Sequence, residues 1–549
     1  MKEAQARLAL VSQPVSDSSE TLPLGSACVA AAIRATADLA SLEPFLLEAE
    51  PGESPAGLAS RLAASGARLV GLSVYSWSRG FLCEAARLLR AESPGTFVFA
   101  GGPEASADPE GLIAEAGLDF AIAGEGEAAT VNALQALLSD RLEEGGIPGL
   151  VLPGRPWHPA TLENAADLPS PWISGTIDPR AYGGDLLWEL SRGCPFRCAY
   201  CYESKGRGGS RPFPMARIEA ELELIGASGA KYVFVLDPTF DADRDRAAAL
   251  LELLRAKPGI RWKFELRAEL LDKELARRFA ALDCLLQIGL QSVNPATLDA
   301  IGRPGFDRKA FARKIALLGS AGLSFGLDLI YGLPGDSLRD FEEGLDYALG
   351  LGPNHLDIFP LAVLPGTELF ERAAALGLEA DTRPPYLVRS TRELPAADLE
   401  RAASLALACD RFYSAGRAVG WFRAALAPLR SLPSAFLRGY AAWLSRLGEQ
   451  GPRGSIEAEQ LGFLEEGYRA DGLDALLPAL RDLVRLHGAW GRALAEGETT
   501  RLELSYEPEE ALAAGAAGLA AFARAARPRR GSWRVVPDAE EGARIERGR

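Results

Sequence analysis

Short apolar runs alternating with helical stretches constrain this chain most, because strand, crossover helix and parallel strand is the arrangement such an alternation favours. Over the first 150 residues the expected strands are Arg7 to Val11, Phe45 to Leu47, Leu69 to Tyr75, Thr96 to Ala100 and Phe120 to Ala123, with helices at about Ala27 to Ala40 and Ala56 to Ala64. A parallel, doubly wound sheet follows. From Leu186 to Pro360 the same alternation recurs about six times, which makes an incomplete barrel open on one side.

Ligands of such sheets bind beyond the carboxyl ends of the strands, where glycine lets backbone approach them closely. In the first series those ends carry Leu24-Gly25, Ser73-Val74-Tyr75, Gly101-Gly102-Pro103 and Gly124-Glu125-Gly126-Glu127. In the second they carry Asp237-Pro238-Thr239-Phe240, Arg267, Gln291-Ser292 and Tyr331-Gly332-Leu333-Pro334-Gly335-Asp336.

The loop after the first strand of the second series reads Cys194-Pro195-Phe196-Arg197-Cys198-Ala199-Tyr200-Cys201. Three thiolates on so short a loop can hold three irons of a [4Fe-4S] cube and leave the fourth open. A structural zinc site normally closes with four ligands. The next cysteine here is Cys284, and the only histidines are His158, His355 and His487. No fourth ligand stands at zinc-finger spacing.

Cys-x3-Cys-x2-Cys with an aromatic before the last cysteine resembles the signature of the radical S-adenosylmethionine (SAM) superfamily. The glycine-bearing strand ends before it resemble the cobalamin (B12) domain of one branch. The strings from Gly71 through Val235 to Leu327 look like the subgroup with a C-terminal domain of unknown function (DUF4080-like). The resemblance implies a [4Fe-4S] cluster on Cys194, Cys198 and Cys201, with SAM on the open iron. It places Tyr200 against the adenine, Asp237 at the methionine amino group, Arg267 at the methionine carboxylate or ribose, Gln291 and Ser292 at the ribose hydroxyls, and Gly332, Leu333 and Pro334 beside the adenine. For cobalamin it points to Leu24, Gly25, Ser73, Tyr75, Gly101, Gly102, Gly124, Glu125 and Gly126. Asp237 departs from the family's Gly-Gly-Glu-like run, and no histidine before His158 is present to ligate cobalt from below.

The implied fold is α/β. It comprises a Rossmann-like B12-binding domain over 1–147, a proline-rich linker over 148–184, a partial (β/α)6 radical SAM core over 185–385, a mostly helical domain over 386–523 and a charged tail over 524–549 expected to be disordered. Trp421, Trp443 and Trp490 of the helical domain read as packing residues or as pocket lining.

Composition bounds the partners. The 549 residues hold 59 Lys and Arg against 74 Asp and Glu, a net charge of −15, which argues against nucleic acid. Seven cysteines, an odd number, fit a reducing compartment, with Cys28, Cys83, Cys284 and Cys409 in apolar surroundings. The first residues lack a signal peptide's apolar core, and no apolar run reaches the length of a membrane span, so a cytoplasmic location is expected.

The family reading is a cobalamin-dependent radical SAM enzyme, most simply a methyltransferase acting on an unactivated carbon of a small molecule or peptide, fed by a flavodoxin or ferredoxin type electron donor. A radical rearrangement or ring-forming oxidation without methyl transfer, and a non-catalytic iron–sulfur and corrinoid carrier, are the alternatives. Transfer RNA methylthiolation is disfavoured, since Cys28 and Cys83 alone precede the motif where that family needs three more cysteines.

Overall fold

Runs such as Ala6–Ser12, apolar on both faces, suit a strand covered by helices on each side. In the computed structural model, which describes residues 6–15, 22–160, 164–203, 209–447, 455–538 and 542–548 with the side chains of 514–517 left out, that is where the run lies. Met1 to Gln5, part of the segment read for a signal peptide, lie outside the described residues. The chain divides into two units, Met1–Leu285 with Ala362–Val388, and Leu286–Leu361 with Arg389–Arg549.

In the first unit, β1 (Ala6–Ser12), β2 (Leu42–Glu48), β3 (Leu69–Ser73), β4 (Phe97–Gly101), β5 (Phe120–Ile122) and β6 (Leu150–Val151) form one sheet in the order β2-β1-β3-β4-β5-β6. β1 pairs in parallel with β2 and β3, and β3 with β4. Apolar cores lie on both faces, one around Val70, Leu82 and Leu89 and one around Leu10, Phe120 and Leu134. Gly71 is glycine for space: a Cβ there would stand 2.5 Å from the ring of Phe99, which stacks on Phe120 with centroids 4.8 Å apart. The helices start on side-chain caps where the sequence allows, Ser54 accepting from Gly57 N and Asp108 from Gly111 N.

Two expectations change here. The first helix is Leu24–Ala35, so Leu24 and Gly25 open it. The linker expected over 148–184 also gives its first residues to the sheet, since β6 pairs antiparallel with β5. The three apolar residues between Gly149 and Pro153, of which Leu150 and Val151 form β6, are too few to show a period of two.

The same unit continues with β7 (Asp185–Trp188), β8 (Ser191–Arg192), β9 (Arg211–Pro212), β10 (Tyr232–Val235) and β11 (Arg261–Leu266). β10 pairs in parallel with both β7 and β11, while β8 and β9 pair antiparallel across the cysteine loop. Helices Met215–Ser228, Arg244–Arg255 and Lys273–Phe279 follow in the expected alternation.

In the second unit, β12 (Cys284–Gln291, its first two residues belonging to the first unit), β13 (Ser324–Tyr331) and β14 (His355–Pro360) supply the remaining strands of the series, with helices Arg308–Ser320 and Leu338–Gly350 between them. β13 and β14 run parallel, Asp328 opposite Asp357. The C-terminal block is helical as expected. Ala396–Cys409, Pro433–Leu447, Ile456–Ala470 and Leu477–Glu496 are its long helices. Phe412 meets Phe422, Phe436 and Tyr440 edge-on in its core. Trp421 and Trp443 are buried there as packing residues.

The tail expected to be disordered is instead a hairpin, Gly531–Asp538 with Gly542–Arg547, joined to strand Thr500–Leu504. Its arginines and glutamates alternate with Val535, Ala543 and Ile545, which pack on Leu486 and Ala489 of helix Leu477–Glu496. A high charge content therefore hides a period-two apolar face. Among the described residues, no helix is long and apolar enough to cross a membrane.

Candidate cofactor sites

The cysteine loop leaves β7 at the carboxyl edge of its sheet and is held at several points. Asp237 supplies the first anchor. Its Oδ1 accepts from Leu190 N at 2.8 Å and Ser191 N at 3.0 Å, and its Oδ2 accepts from Ser191 Oγ at 2.7 Å. A carboxylate with three donors already in place has a structural duty and little capacity left for the methionine amino group expected of it. Gly193 takes φ +78°, and a Cβ there would meet Gly209 O at 2.8 Å, so glycine allows the two sides of the loop to close.

Arg267 reaches the same loop. Its guanidinium lies 3.8 Å from the ring centroid of Phe196, inside the cysteine loop, and pairs with Glu269 at 3.0 Å. It braces the loop through its charge and planar face. Cys194 Sγ lies 3.5 Å from Thr239 Oγ1, and Cys201 N donates to Cys198 O at 3.0 Å. None of the seven cysteines is in a disulfide, and Cys194, Cys198 and Cys201 are half-buried while the other four are buried. Burial pushes the Cys284 thiol up to about 12, as befits a core residue.

Among the described residues, no three His, Cys, Asp or Glu side chains converge on one point as ligands of a single ion. A cube spreads its thiolates over separate corners, and three half-buried thiols within eight residues of one braced loop are a donor set that fits it. Tyr200 lies half-buried within that loop.

The first sheet presents its carboxyl edge to this loop. Leu24 and Gly25 open their helix, Ser73 ends β3 and Gly101 ends β4. Tyr75 stacks on Trp77 with centroids 4.4 Å apart, and a Cβ on Gly25 would stand 3.4 Å from the Tyr75 hydroxyl. At Gly101 a Cβ would meet nothing nearer than Ile122 Cβ at 4.0 Å, so the backbone there is bare, as a bulky corrinoid would need. Gly102 and Gly124, at φ +98° and +105°, are glycine for another reason: a Cβ would fall 2.7 Å from Val74 O and 2.9 Å from Ala160 Cβ. Those two serve the protein's own packing.

Glu125 and Gly126 lie at the start of helix Gly126–Leu138. Glu125 is paired with Arg211 of β9. Two residues on, buried Glu127 pairs with Arg192 of β8 at 2.6 Å, and Arg192 also holds Glu189 at 3.1 Å. The Arg192 guanidinium keeps the Glu127 carboxyl below its ordinary value against the cost of burial. Burial dominates at Glu189 and pushes it up to about 7. Tyr202 Oη donates to Pro103 O at 3.2 Å. Edge and cysteine loop therefore face each other across a charged, hydrogen-bonded seam within one unit.

In the second unit, Gln291 ends β12 with φ +69°, a conformation that costs a non-glycine residue energy. Its side chain folds back along the strand, where a Cβ on Gly289 would stand 2.5 Å from Gln291 Nε2, and its Oε1 is buried without a hydrogen-bond partner. That oxygen can still accept a hydrogen bond. Ser292 is less open, since its hydroxyl bonds Asp336 and accepts from Asn294 N at 3.1 Å. Burial pushes the Asp336 carboxyl up to about 6. Gly332 takes φ +87°, and Leu333 beside Pro334 is fully buried.

Three residues have duties that the sequence does not show. Asp241 keeps Oδ2 buried without a partner while Oδ1 accepts from Arg267 N at 3.1 Å, and burial pushes its carboxyl up to about 7. Arg303 is buried and donates to Gly289 O at 2.8 Å. Thr239 touches the cysteine sulfur. Asp241 stands four residues after Asp237 and Arg303 lies between Gly302 and Pro304, signals that are visible but shared with ordinary turns.

Residues 16–134 match the model of the B12 binding domain, and residues 188–348 match that of the Radical SAM superfamily. The chain is 29% identical over 339 residues to a 2-(S-pantetheinyl)-carbapenam-3-carboxylate methyltransferase of Streptantibioticus cattleyicolor, covering 56% of this chain and 49% of that one. It is 26% identical over 349 residues to the cobalamin-dependent radical SAM methyltransferase TokK of Streptomyces tokunonensis, covering 58% and 51%. The chain thus spans about half the length of these relatives. Among solved structures it resembles OxsB, a cobalamin-dependent S-adenosylmethionine radical enzyme, with aqua-cobalamin and S-adenosylmethionine bound, at TM-score 0.62 and 16% identity over 86% of this chain and 76% of that one. It resembles the radical S-adenosylmethionine methyltransferase TsrM from Kitasatospora setae, with tryptophan and a SAM analogue bound, at TM-score 0.57 and 19% identity over 69% and 80%. At these identities the structural likeness speaks for the fold.

Proposed function

We propose that this chain, a radical SAM protein with a B12 binding domain, is a cobalamin-dependent methyltransferase that acts on an unactivated carbon of a small molecule or peptide. The observation that carries the reading is the seam of Glu127 with Arg192, Glu125 with Arg211 and Tyr202 with Pro103, which sets the carboxyl edge of the B12-type sheet against the cysteine loop. When bound, the [4Fe-4S] cluster supplies the electron that splits SAM, and cobalamin carries the methyl group to be transferred. Cys194, Cys198 and Cys201 would ligate the cluster, and Asp237, Thr239 and Arg267 hold their loop in place. Within the first unit, Tyr200 is the residue best suited to hold SAM, and Leu24, Gly25, Ser73, Tyr75 and Gly101 those best suited to hold cobalamin. A flavodoxin or ferredoxin type donor would reduce the cluster, in keeping with a cytoplasmic setting.

The test is anaerobic loading with iron, sulfide and hydroxocobalamin, then incubation with SAM and a reductant. About four irons per chain and a bound corrinoid, with both lost iron and lost 5′-deoxyadenosine in Cys198→Ala, is the expected result. Iron without corrinoid would sink the methyltransferase reading and leave a radical enzyme of another kind.

A further inference from the structure

One contact of the braced loop can do more than hold it. Thr239 is buried, and its hydroxyl lies 3.5 Å from Cys194 Sγ and 2.7 Å from Pro238 O. A hydroxyl has one proton to give and lone pairs to receive with. While Cys194 is a thiol, it can donate to Thr239 Oγ1 as the Thr239 proton rests on Pro238 O. As a cluster ligand the cysteine is a thiolate and can only accept.

We infer that Thr239 is a positioning residue for the cluster, whose hydroxyl turns from Pro238 O to the Cys194 sulfur when the cluster is bound and raises the potential at which the cluster takes up its electron. This rests on the reading of Cys194 as a cluster ligand. Hydrogen bonds to the ligating sulfurs are among the factors that set such potentials, because they favour the more negative, reduced state. Burial strengthens the effect by removing competing water. The contact is also held from both sides. Asp237, two residues before Thr239, fixes Leu190 and Ser191, and Arg267 pins Phe196, two residues after Cys194. Loop and hydroxyl therefore keep their spacing.

The experiment is a potentiometric titration of the loaded protein, followed by electron paramagnetic resonance of the reduced cluster, with dithionite supplying the single electron. Thr239→Val keeps the shape and removes the donor. Its cluster should be about tenfold harder to reduce, a shift of about 59 mV to lower potential for one electron. Thr239→Ser should titrate close to the parent protein. Thr239→Ala serves in place of Thr239→Val should the valine variant not take up iron. A variant without the hydroxyl that binds the full complement of iron at the parent potential overturns the inference and leaves the cluster assignment standing. A parent protein that binds no iron overturns that assignment itself.

Discussion

Replacing Asp237 by alanine should free the stem of the cysteine loop. In the intact protein this buried carboxylate receives Leu190 N, Ser191 N and Ser191 Oγ at 2.8, 3.0 and 2.7 Å. A buried donor left unmatched costs about 1–3 kcal/mol, and bonds to a charged acceptor are the stronger kind. With water entering to satisfy part of the set, the local loss comes to about 3–6 kcal/mol, or about two to four orders of magnitude in the opening equilibrium. Hydrogen exchange at Phe213 reads this, because its amide donates to Leu190 O at 3.0 Å and keeps that acceptor in the variant. Asp237→Asn should lose far less, about 1 kcal/mol, since the amide oxygen can still accept both backbone donors and its nitrogen can donate to Ser191 Oγ. Phe213 protected in Asp237→Ala as in the parent would refute the anchor, whatever the iron content of the variant.

Three further outcomes follow from the same geometry. Arg192→Ala strands Glu127, whose side chain is only 7% exposed, and should cost about 3–5 kcal/mol in chemical unfolding; an unchanged urea midpoint tells against the seam. Gly71→Ala drives a Cβ to 2.5 Å from Phe99 and 2.9 Å from Leu10, so overpacking of about 1–3 kcal/mol should lower the melting temperature, and a neutral result would mean that the sheet yields more easily than its packing suggests. Asp482 accepts from Ser505 N at 2.6 Å and Tyr506 N at 2.9 Å, yet burial pushes its carboxyl up from 3.8 to about 6. The folded form thus holds a proton that the unfolded form has released, and this group's contribution falls as pH rises from about 4 to about 6 and is level above that. Asp482→Asn should flatten that part of the profile of melting temperature against pH, and a profile identical to the parent's removes Asp482 as its source.

Helix Met215–Ser228 was legible because Pro214 and Gly229 bracket it, the one unable to continue a helix backwards and the other taking φ +84° at its end. The six strand and helix repeats were legible for the same reason, through punctuation and apolar runs. The hairpin of Gly531–Asp538 and Gly542–Arg547 was not, because a third sheet edge was needed to show which of its residues face inward. At the cofactor sites the residue types could be read but not their duties. Nothing in Val235-Leu236-Asp237 says that Leu190 and Ser191, more than forty residues earlier, turn their amides toward that carboxylate. Nor does a glutamine announce a left-handed backbone or an unmatched oxygen.

The pairs of Glu125 with Arg211 and Glu127 with Arg192 also bear on how the molecule can be taken apart. Both acids begin one helix of the first sheet, and both bases flank the cysteine loop on β8 and β9. Cutting the chain in the proline-rich connector would expose a half-buried guanidinium on one fragment and a buried carboxylate on the other, each deprived of its counter-charge. The two matched segments behave as halves of one mortise and tenon, so neither is a portable module, and a graft of either into another scaffold must carry its opposite number with it.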